Sequence, residues 1–416
     1  MNRSTSINRR QFLRYSGMAG VSSLLAMGAN ELWLPQRVLG QSSRSPRLIV
    51  ILLRGAVDGL NVVVPHRESA YYEARPSVAI PQPGQPQGAI PLTDQFGLHP
   101  ALEPLMPLWK AGNLAFVHAC GSPDETRSHF EAQDYMETGT PGNKKTRDGW
   151  LNRLLTVLPK GKITQAVSIG EQMPLILAGS KQVTNLPSGR NATRRQPIDN
   201  VPIQNAFDQL YTGNDAVARA YQKGRQAREA LLAEFKSEMM QASRGAPSAA
   251  NAPNDLSRLA KLMVGNAQTQ VASISFGGWD THVNQGSSEG QLANRLRSLG
   301  DGIQKLTEAL GPTFKDTTIV VMSEFGRTAR ENGNRGTDHG HGNVMWILGG
   351  NIKGKQIYGS WPGLEAAQLN EGRDLAITTD FRDAIAPLLT KHMGLNSQQL
   401  AQVFPSHSVQ QTLSIV

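Results

Sequence analysis

TTIVVMSEFGRTARENGNRGTDHGHGNVMWILGG, residues 317–350, is the stretch whose reading decides the fold. It opens on an apolar, β-branched run at 317–322, bounded by Asp316 and by Ser323-Glu324, which is the pattern of a short buried strand. A polar, glycine-rich segment follows, and the chain then returns to an apolar run at 344–348 that stops at Gly349-Gly350. Two buried strands therefore flank a loop that carries Glu324, Asp338, His339 and His341. In open α/β sheets ligands bind beyond the carboxyl ends of the strands, so this loop lies where chemistry is expected. A lone histidine is more often structural than functional. Three metal-capable side chains between 338 and 341, with glycines to bend the backbone, point instead to a bound cation.

Working outward, residues 48–53 read as a first strand suited to the middle of a parallel sheet. Asp58 follows it between Gly55 and Gly59, where a carboxylate serves either as a metal ligand or, more commonly, as a helix cap. Residues 114–118 form a second strand, and Thr126 and Ser128 then fall at the predicted start of a helix that runs through Met136. A hydroxyl there is ordinarily an N-cap, but the exposed amides and helix dipole also favour the developing anion of a nucleophile. Arg127 between them has the geometry to hold an anionic group by two hydrogen bonds. Helices are expected at 100–111, 150–158, 256–265, 291–310 and 380–393, and strands at 166–169, 175–177 and 270–276. Just past the last of these, Asp280 and His282 sit two apart on a bending loop and can turn towards one cation. Residues 181–255 break the alternation: they are polar and rich in Arg and Gln, with an amphipathic helix expected at 215–240, and read as a helical insertion.

The first forty residues read as an address rather than as fold. Asn8-Arg9-Arg10-Gln11-Phe12-Leu13-Arg14 has the form of a twin-arginine export signal, and the apolar segment at 15–29 is shorter than the roughly 20 residues a spanning helix needs. Cleavage near Gly40 would leave residues 41–416 as the α/β domain, periplasmic or secreted, with the twin-arginine translocase as its partner during export. That route carries folded proteins, which fits a cofactor loaded before export. No later segment reads as a membrane span, and 39% hydrophobic residues suffice for a large core. With one cysteine, Cys120, no internal disulfide can form. The formal charge is +9, but the leader holds five arginines against one glutamate, so the excess on the remainder is modest. No basic block interleaved with aromatics is present, which argues against nucleic acid and leaves room for anionic substrates.

RGAVDGLN at 54–61, GGWDTH at 277–282, SEFGRT at 323–328 and ENGNRGTDHGHG at 331–342 together resemble an exported family known as domain of unknown function 1501, across nearly all of residues 47–395. That family is in turn similar to the alkaline phosphatase superfamily, which includes sulfatases and phosphomutases. The resemblance implies an alkaline-phosphatase-like α/β fold, a mostly parallel sheet sandwiched by helices. It also implies Asp58, Asp280, His282, Glu324 and His339 as metal ligands, with Ser128 or Thr126 as nucleophile. Two departures stand out. Phe325 occupies a position where phosphatases have a ligating histidine, so that place is lost or rebuilt from Asp338 or His341, and the Asp280–His282 spacing is shorter than usual. Asp124 stands where a formylglycine sulfatase following Cys120 would need arginine, which argues against that chemistry. The expectation is a metal-dependent hydrolase of phosphate or sulfate esters. It would hold one or two divalent ions, and mixed imidazole and carboxylate ligands suit zinc or manganese better than calcium. The alternative is a non-catalytic exported binding or assembly protein on a degenerate hydrolase scaffold.

Overall fold

The computed structural model describes residues 46–159, 165–186, 188, 242–266 and 269–416. The expected leader, the helix at 215–240 and most of the insertion at 181–255 lie outside the described residues. Among the described residues, strands β1 (Arg47–Leu53), β2 (Leu114–Gly121), β3 (Ala166–Ile169), β4 (Thr184–Leu186), β5 (Val271–Phe276), β6 (Thr317–Ser323), β7 (Asn343–Gly349), β8 (Ile357–Tyr358) and β9 (Thr379–Asp380) share one sheet. Its order is β8-β2-β7-β6-β1-β5-β3-β4, with β9 paired to β2 beyond β8. Every pairing is parallel except the two made by β7, which runs against both β2 and β6. The loop at 324–342 thus leaves the carboxyl end of β6 and re-enters the sheet at the same edge.

The pleat sends successive residues to opposite faces, and β1 shows the consequence. Ile49, Ile51 and Leu53 pack in one core with Leu256 and Leu259 of helix α3 and with α4, while Leu48, Val50 and Leu52 pack in another with Trp150, Leu154 and Phe381. The helices concerned are α1 (His129–Thr138), α2 (Trp150–Val157), α3 (Ala252–Gly265), α4 (Gln291–Leu310), α5 (Phe381–Pro387) and α6 (Ser397–Val403). Helices α3 and α4 cover the first face and α2, α5 and α6 the second, giving a three-layer α/β sandwich. Along α4, Leu292, Leu296, Leu299, Ile303, Leu306 and Leu310 are buried at spacings of three and four, the apolar stripe of a surface helix.

One expected strand is not formed. Residues 175–177 are a 3-10 turn, with Leu177 N donating to the Pro174 carbonyl and Ala178 N to that of Leu175, because three apolar residues in a row carry no periodicity that separates turn from strand. The sheet is extended instead by β4, whose Thr-Asn-Leu sequence gave no strand signal.

Candidate metal centre

Three segments from the same sheet edge build the site: the loop after β5, the loop joining β6 to β7, and the start of α1. After β5, Gly277-Gly278 turn the chain and Trp279 anchors it, with its Nε1–H donating to the Phe276 carbonyl at 2.9 Å. Asp280 is thereby held in the interior at 4% exposure. Gly55, after β1, lies against it: φ is +111°, and a Cβ there would stand 2.7 Å from the Asp280 nitrogen, so only glycine fits. The freed backbone serves the site directly, since Gly55 N–H donates to Glu324 Oε1 at 2.8 Å.

Three imidazoles surround Asp280, and each has one ring nitrogen committed elsewhere. His129 Nδ1–H donates to Glu324 Oε1 (2.8 Å), His282 Nδ1–H to Asp338 Oδ1 (3.0 Å) and His339 Nδ1–H to the Arg127 carbonyl (3.0 Å). A carbonyl or carboxylate oxygen can only accept, so the proton is fixed at Nδ1 and the Nε2 lone pairs are turned inward. Those Nε2 atoms meet. His339 Nε2 lies 2.9 Å from that of His129 and 3.0 Å from that of His282. Asp280 Oδ1 is 2.9 Å from His282 Nε2 and 3.4 Å from His339 Nε2, and Oδ2 is 3.6 Å from His129 Nε2. Lone pairs facing at such distances repel unless a proton or a cation lies between them.

The electrostatics agree. Burial opposes the charge on Asp280, but the three imidazoles and Arg327 more than offset it and hold the carboxyl well below the usual carboxylate range. Burial also works against a charged His129, yet Asp280 and Glu324 push it up to about 9, while burial lowers its neighbour His339. Facing Nε2 atoms cannot both carry protons, so of His129 and His339 the proton goes to His129, which lies between Asp280 and Glu324. Burial likewise opposes ionisation of Glu324, and His129 and Gln133 bring it down to about 2. One oxygen is left over: Asp280 Oδ2 is buried without a hydrogen-bond partner among the described residues. A buried orphan carboxylate oxygen facing imidazole lone pairs is the donor set that a divalent cation satisfies. His129, Asp280 and His339 place one donor atom each within 4.8 Å of one another, and His282 adjoins them.

A supporting shell of the kind that accompanies metal-ligating histidines backs these side chains. Arg327 Nη1 donates to Asp280 Oδ1 at 2.6 Å, and its Nη2 donates to the Thr337 carbonyl. Gln133, one turn after His129 on α1, donates to Glu324 Oε1 at 2.9 Å. Asn332 donates to Asp338 Oδ1 at 2.8 Å. Gly340 passes so close to the Arg327 backbone that a Cβ would come within 2.4 Å of it, which brings His339 over the cluster. Phe325 closes one side, its ring 4.9 Å from that of His129 and 5.2 Å from that of His339. A cleft of about 480 Å³ lies on the outer side of Asp338 and Asn332, lined also by Arg330 and Arg373 and by Glu73, Glu331 and Glu365.

Of the residues singled out from sequence, Asp280, His282 and His339 face one another directly, and Glu324 and Asp338 stand behind them on the outer ring nitrogens. Asp58 is placed elsewhere: both its oxygens accept from Arg75, at 2.7 and 3.1 Å, and Oδ2 also accepts from Gln285 at 2.6 Å. His341 is buried near Asp374 and Arg127, and its carbonyl accepts from Gly326 N. Ser128 is the exposed N-cap residue of α1 and makes no side-chain capping bond. Thr126 Oγ1 donates to Glu131 and accepts from Ser128 N. Arg127 is tied to Asp374 and Glu371. His129, Arg327 and Gln133 were not anticipated. The signal for His129 and Gln133 was their separation by four, which puts both on one face of α1.

No curated relative matches the sequence. Among solved structures the chain is similar to a protein of the alkaline phosphatase superfamily from Vibrio parahaemolyticus, at 12% identity and TM-score 0.38 over 76% of this chain; it spans 63% of that protein's length. It is also similar to the C-terminal periplasmic domain of EcEptC from Escherichia coli in complex with Zn, at 10% identity and TM-score 0.36 over 74% of each chain. A third is BT1596, a 2-O GAG sulfatase, at 10% identity and TM-score 0.40 over 89% of this chain and 76% of that one. At such identities and TM-scores, the reading of the site rests on this chain's own residues. The sequence itself matches the family described as "Protein of unknown function (DUF1501)" over residues 45–404, and the chain belongs to that family.

Proposed function

We propose that this protein is an exported metal-dependent hydrolase of phosphate or sulfate esters. The observation that carries the reading is the convergence of three Nδ1-fixed imidazoles on a buried carboxylate with one orphan oxygen. Asp280, His282, His339 and His129 would hold the ion, and their nitrogen and oxygen donors suit zinc or manganese better than calcium. When bound, such an ion supplies Lewis acidity at an ester oxygen and lowers the pKa of a hydroxyl or water. The chain's own residues do the rest. Glu324, Asp338 and the Arg127 carbonyl keep the ring protons at Nδ1. Phe325 shields the imidazoles on one side.

Ser128 is the attacking group in this reading. Its hydroxyl is not used as a helix cap and it directly precedes His129, whereas the Thr126 hydroxyl is engaged with Glu131. Arg127, held by two carboxylates, supports His339 through its carbonyl. The leader's arginine pair supports export through the twin-arginine pathway, and no described helix is long and apolar enough to cross a membrane.

The test is hydrolysis of aryl phosphate, phosphodiester and sulfate ester substrates by the metal-loaded protein. Ser128→Ala should lose turnover by orders of magnitude and keep most of its stability. Hydrolysis retained in both Ser128→Ala and Thr126→Ala would replace the covalent route with attack by water. The packing of Phe325 across the rings favours a second reading, a non-catalytic binding or assembly protein. Metal binding without hydrolysis of any of the three ester classes would select it.

A further inference from the structure

The resemblance gave Asp58 to the metal, and the structure gives it to an arginine. Arg75 is fully buried, and all five of its N–H groups are used. Nη1 donates to Asp58 Oδ2 and to Asn61 Oδ1, both at 2.7 Å. Nη2 donates to Asp58 Oδ1 at 3.1 Å and to the Thr328 carbonyl at 2.8 Å, and Nε donates to the Ala329 carbonyl at 2.8 Å. Five oxygens from two separate segments, 58–61 and 328–329, thus surround a positive charge. Carboxylate, amide and carbonyl oxygens converging in this way are the donor set of a hard cation.

The cage is also joined to the metal centre. Asp58 Oδ2 accepts from Gln285, whose Oε1 accepts from the hydroxyls of Thr281 and Thr337 at 2.7 and 2.8 Å. Thr281 is the residue after Asp280, and Thr337 Oγ1 accepts from Arg327 Nε at 3.2 Å. Two buried carboxylates therefore belong to one polar network, and they differ in what neutralises them.

We propose that the Arg75 guanidinium is the resident cation of the Asp58 site, so that the centre takes one divalent ion, at Asp280, and Asp58 is never a metal ligand. The inference rests on the reading that the Asp280 cluster binds metal, and its test separates the two. Mature protein is saturated in turn with zinc, manganese and calcium, dialysed, and analysed for bound metal per chain. One ion in wild type, one in Asp58→Asn and almost none in Asp280→Asn is the expected pattern. Two ions in wild type, falling to one in Asp58→Asn, would overturn the inference and leave the metal reading standing. No ion in wild type with any of the three metals would overturn both. Because Asp58→Asn strands a buried guanidinium, Asp58→Asn/Arg75→Gln, which removes both charges together, is measured alongside and should also hold one ion. X-ray absorption on the wild type needs no substitution at all. A metal–metal vector near the roughly 4 Å of a two-metal site would count against the proposal, and imidazole scattering without one would support it.

Discussion

Asp58 and Asp280 lie beyond the ends of adjacent parallel strands, β1 and β5, and both are buried, yet they stand for opposite solutions to the same problem. Burying a carboxylate costs several kcal/mol unless it is paired and hydrogen-bonded. Asp58 is answered entirely from within, by Arg75 and Gln285. Asp280 is answered in part, by Arg327 and by imidazoles whose lone pairs face each other, and it keeps an oxygen with no hydrogen-bond partner. The difference teaches where this molecule is complete and where it is built for something else. A closed ion pair needs nothing further to remain buried, whereas an unfinished donor set invites a ligand.

The comparison is tested most severely at the unfinished end. Asp280→Asn combined with His339→Ala should remove nearly all bound metal and reduce any ester hydrolysis by orders of magnitude, read by elemental analysis and turnover. It should also abolish the rise in melting temperature on adding zinc or manganese, because a cation bound only by the native state stabilises it by mass action. Unchanged metal content in that variant would mean the imidazole cluster is structural.

At the closed end, Arg75→Met keeps the bulk of the side chain but leaves Asp58 buried without its charge partner. Breaking a buried pair from one side costs about 3–5 kcal/mol, measurable as a shift in denaturant midpoint. Arg75→Met/Asp58→Leu should recover most of that loss, since replacing both partners by apolar groups is far milder. A cost below about 1 kcal/mol for the single variant, the range of an exposed ion pair, would deny the closed character of this region.

The histidines sharpen the contrast through pH. His99 and His118 are buried with Nε2–H donating to a carbonyl and Nδ1 accepting a backbone N–H, a neutral ring with both nitrogens satisfied, and burial lowers each to about 4. Between about 6.5 and about 4 the unfolded chain binds protons that the folded chain refuses, so this contribution is complete above about 6.5 and is lost as pH falls, with a slope of up to about two protons. For His129 the sign reverses. Burial disfavours its charge, but Asp280 and Glu324 raise it to about 9, so in metal-free protein its contribution is complete below about 6.5 and lost as pH rises through about 9. Denaturation across pH 4–10 with and without zinc checks both signs; the zinc-loaded protein should lose the alkaline limb and keep the acid one.

The smallest effect concerns the supporting shell. Glu324→Gln keeps the shape of the side chain but removes the charge that orients His129, and should weaken metal binding by about 10–100-fold without unfolding the protein. A competition titration with a chelating dye reads it, and unchanged affinity would place Glu324 outside the centre's electrostatics.

By itself the sequence determined the α/β class, because apolar runs such as 48–53 and 317–322 are written in local composition and need no partner to be read. It also marked out the candidate site loops: Asp280, His282, Glu324, Asp338 and His339 all follow or precede such runs, and the structure gathers them at one sheet edge. What it left open turned on side-chain direction. His129 reads as one more residue at a helix start, yet the rotation of α1 that exposes Ser128 turns the next residue inward, onto Glu324 and Asp280. Only tertiary structure decided the fate of Asp58, since Arg75 lies 17 positions away and completes its cage with Thr328 and Ala329, more than 250 residues on. The reversed direction of β7 was equally hidden, because a hydrophobic run has no polarity in sequence and gains one only when hydrogen bonds to β2 and β6 fix its direction. Local pattern records which segments are buried; which charge meets which is set by contacts between segments far apart in the chain.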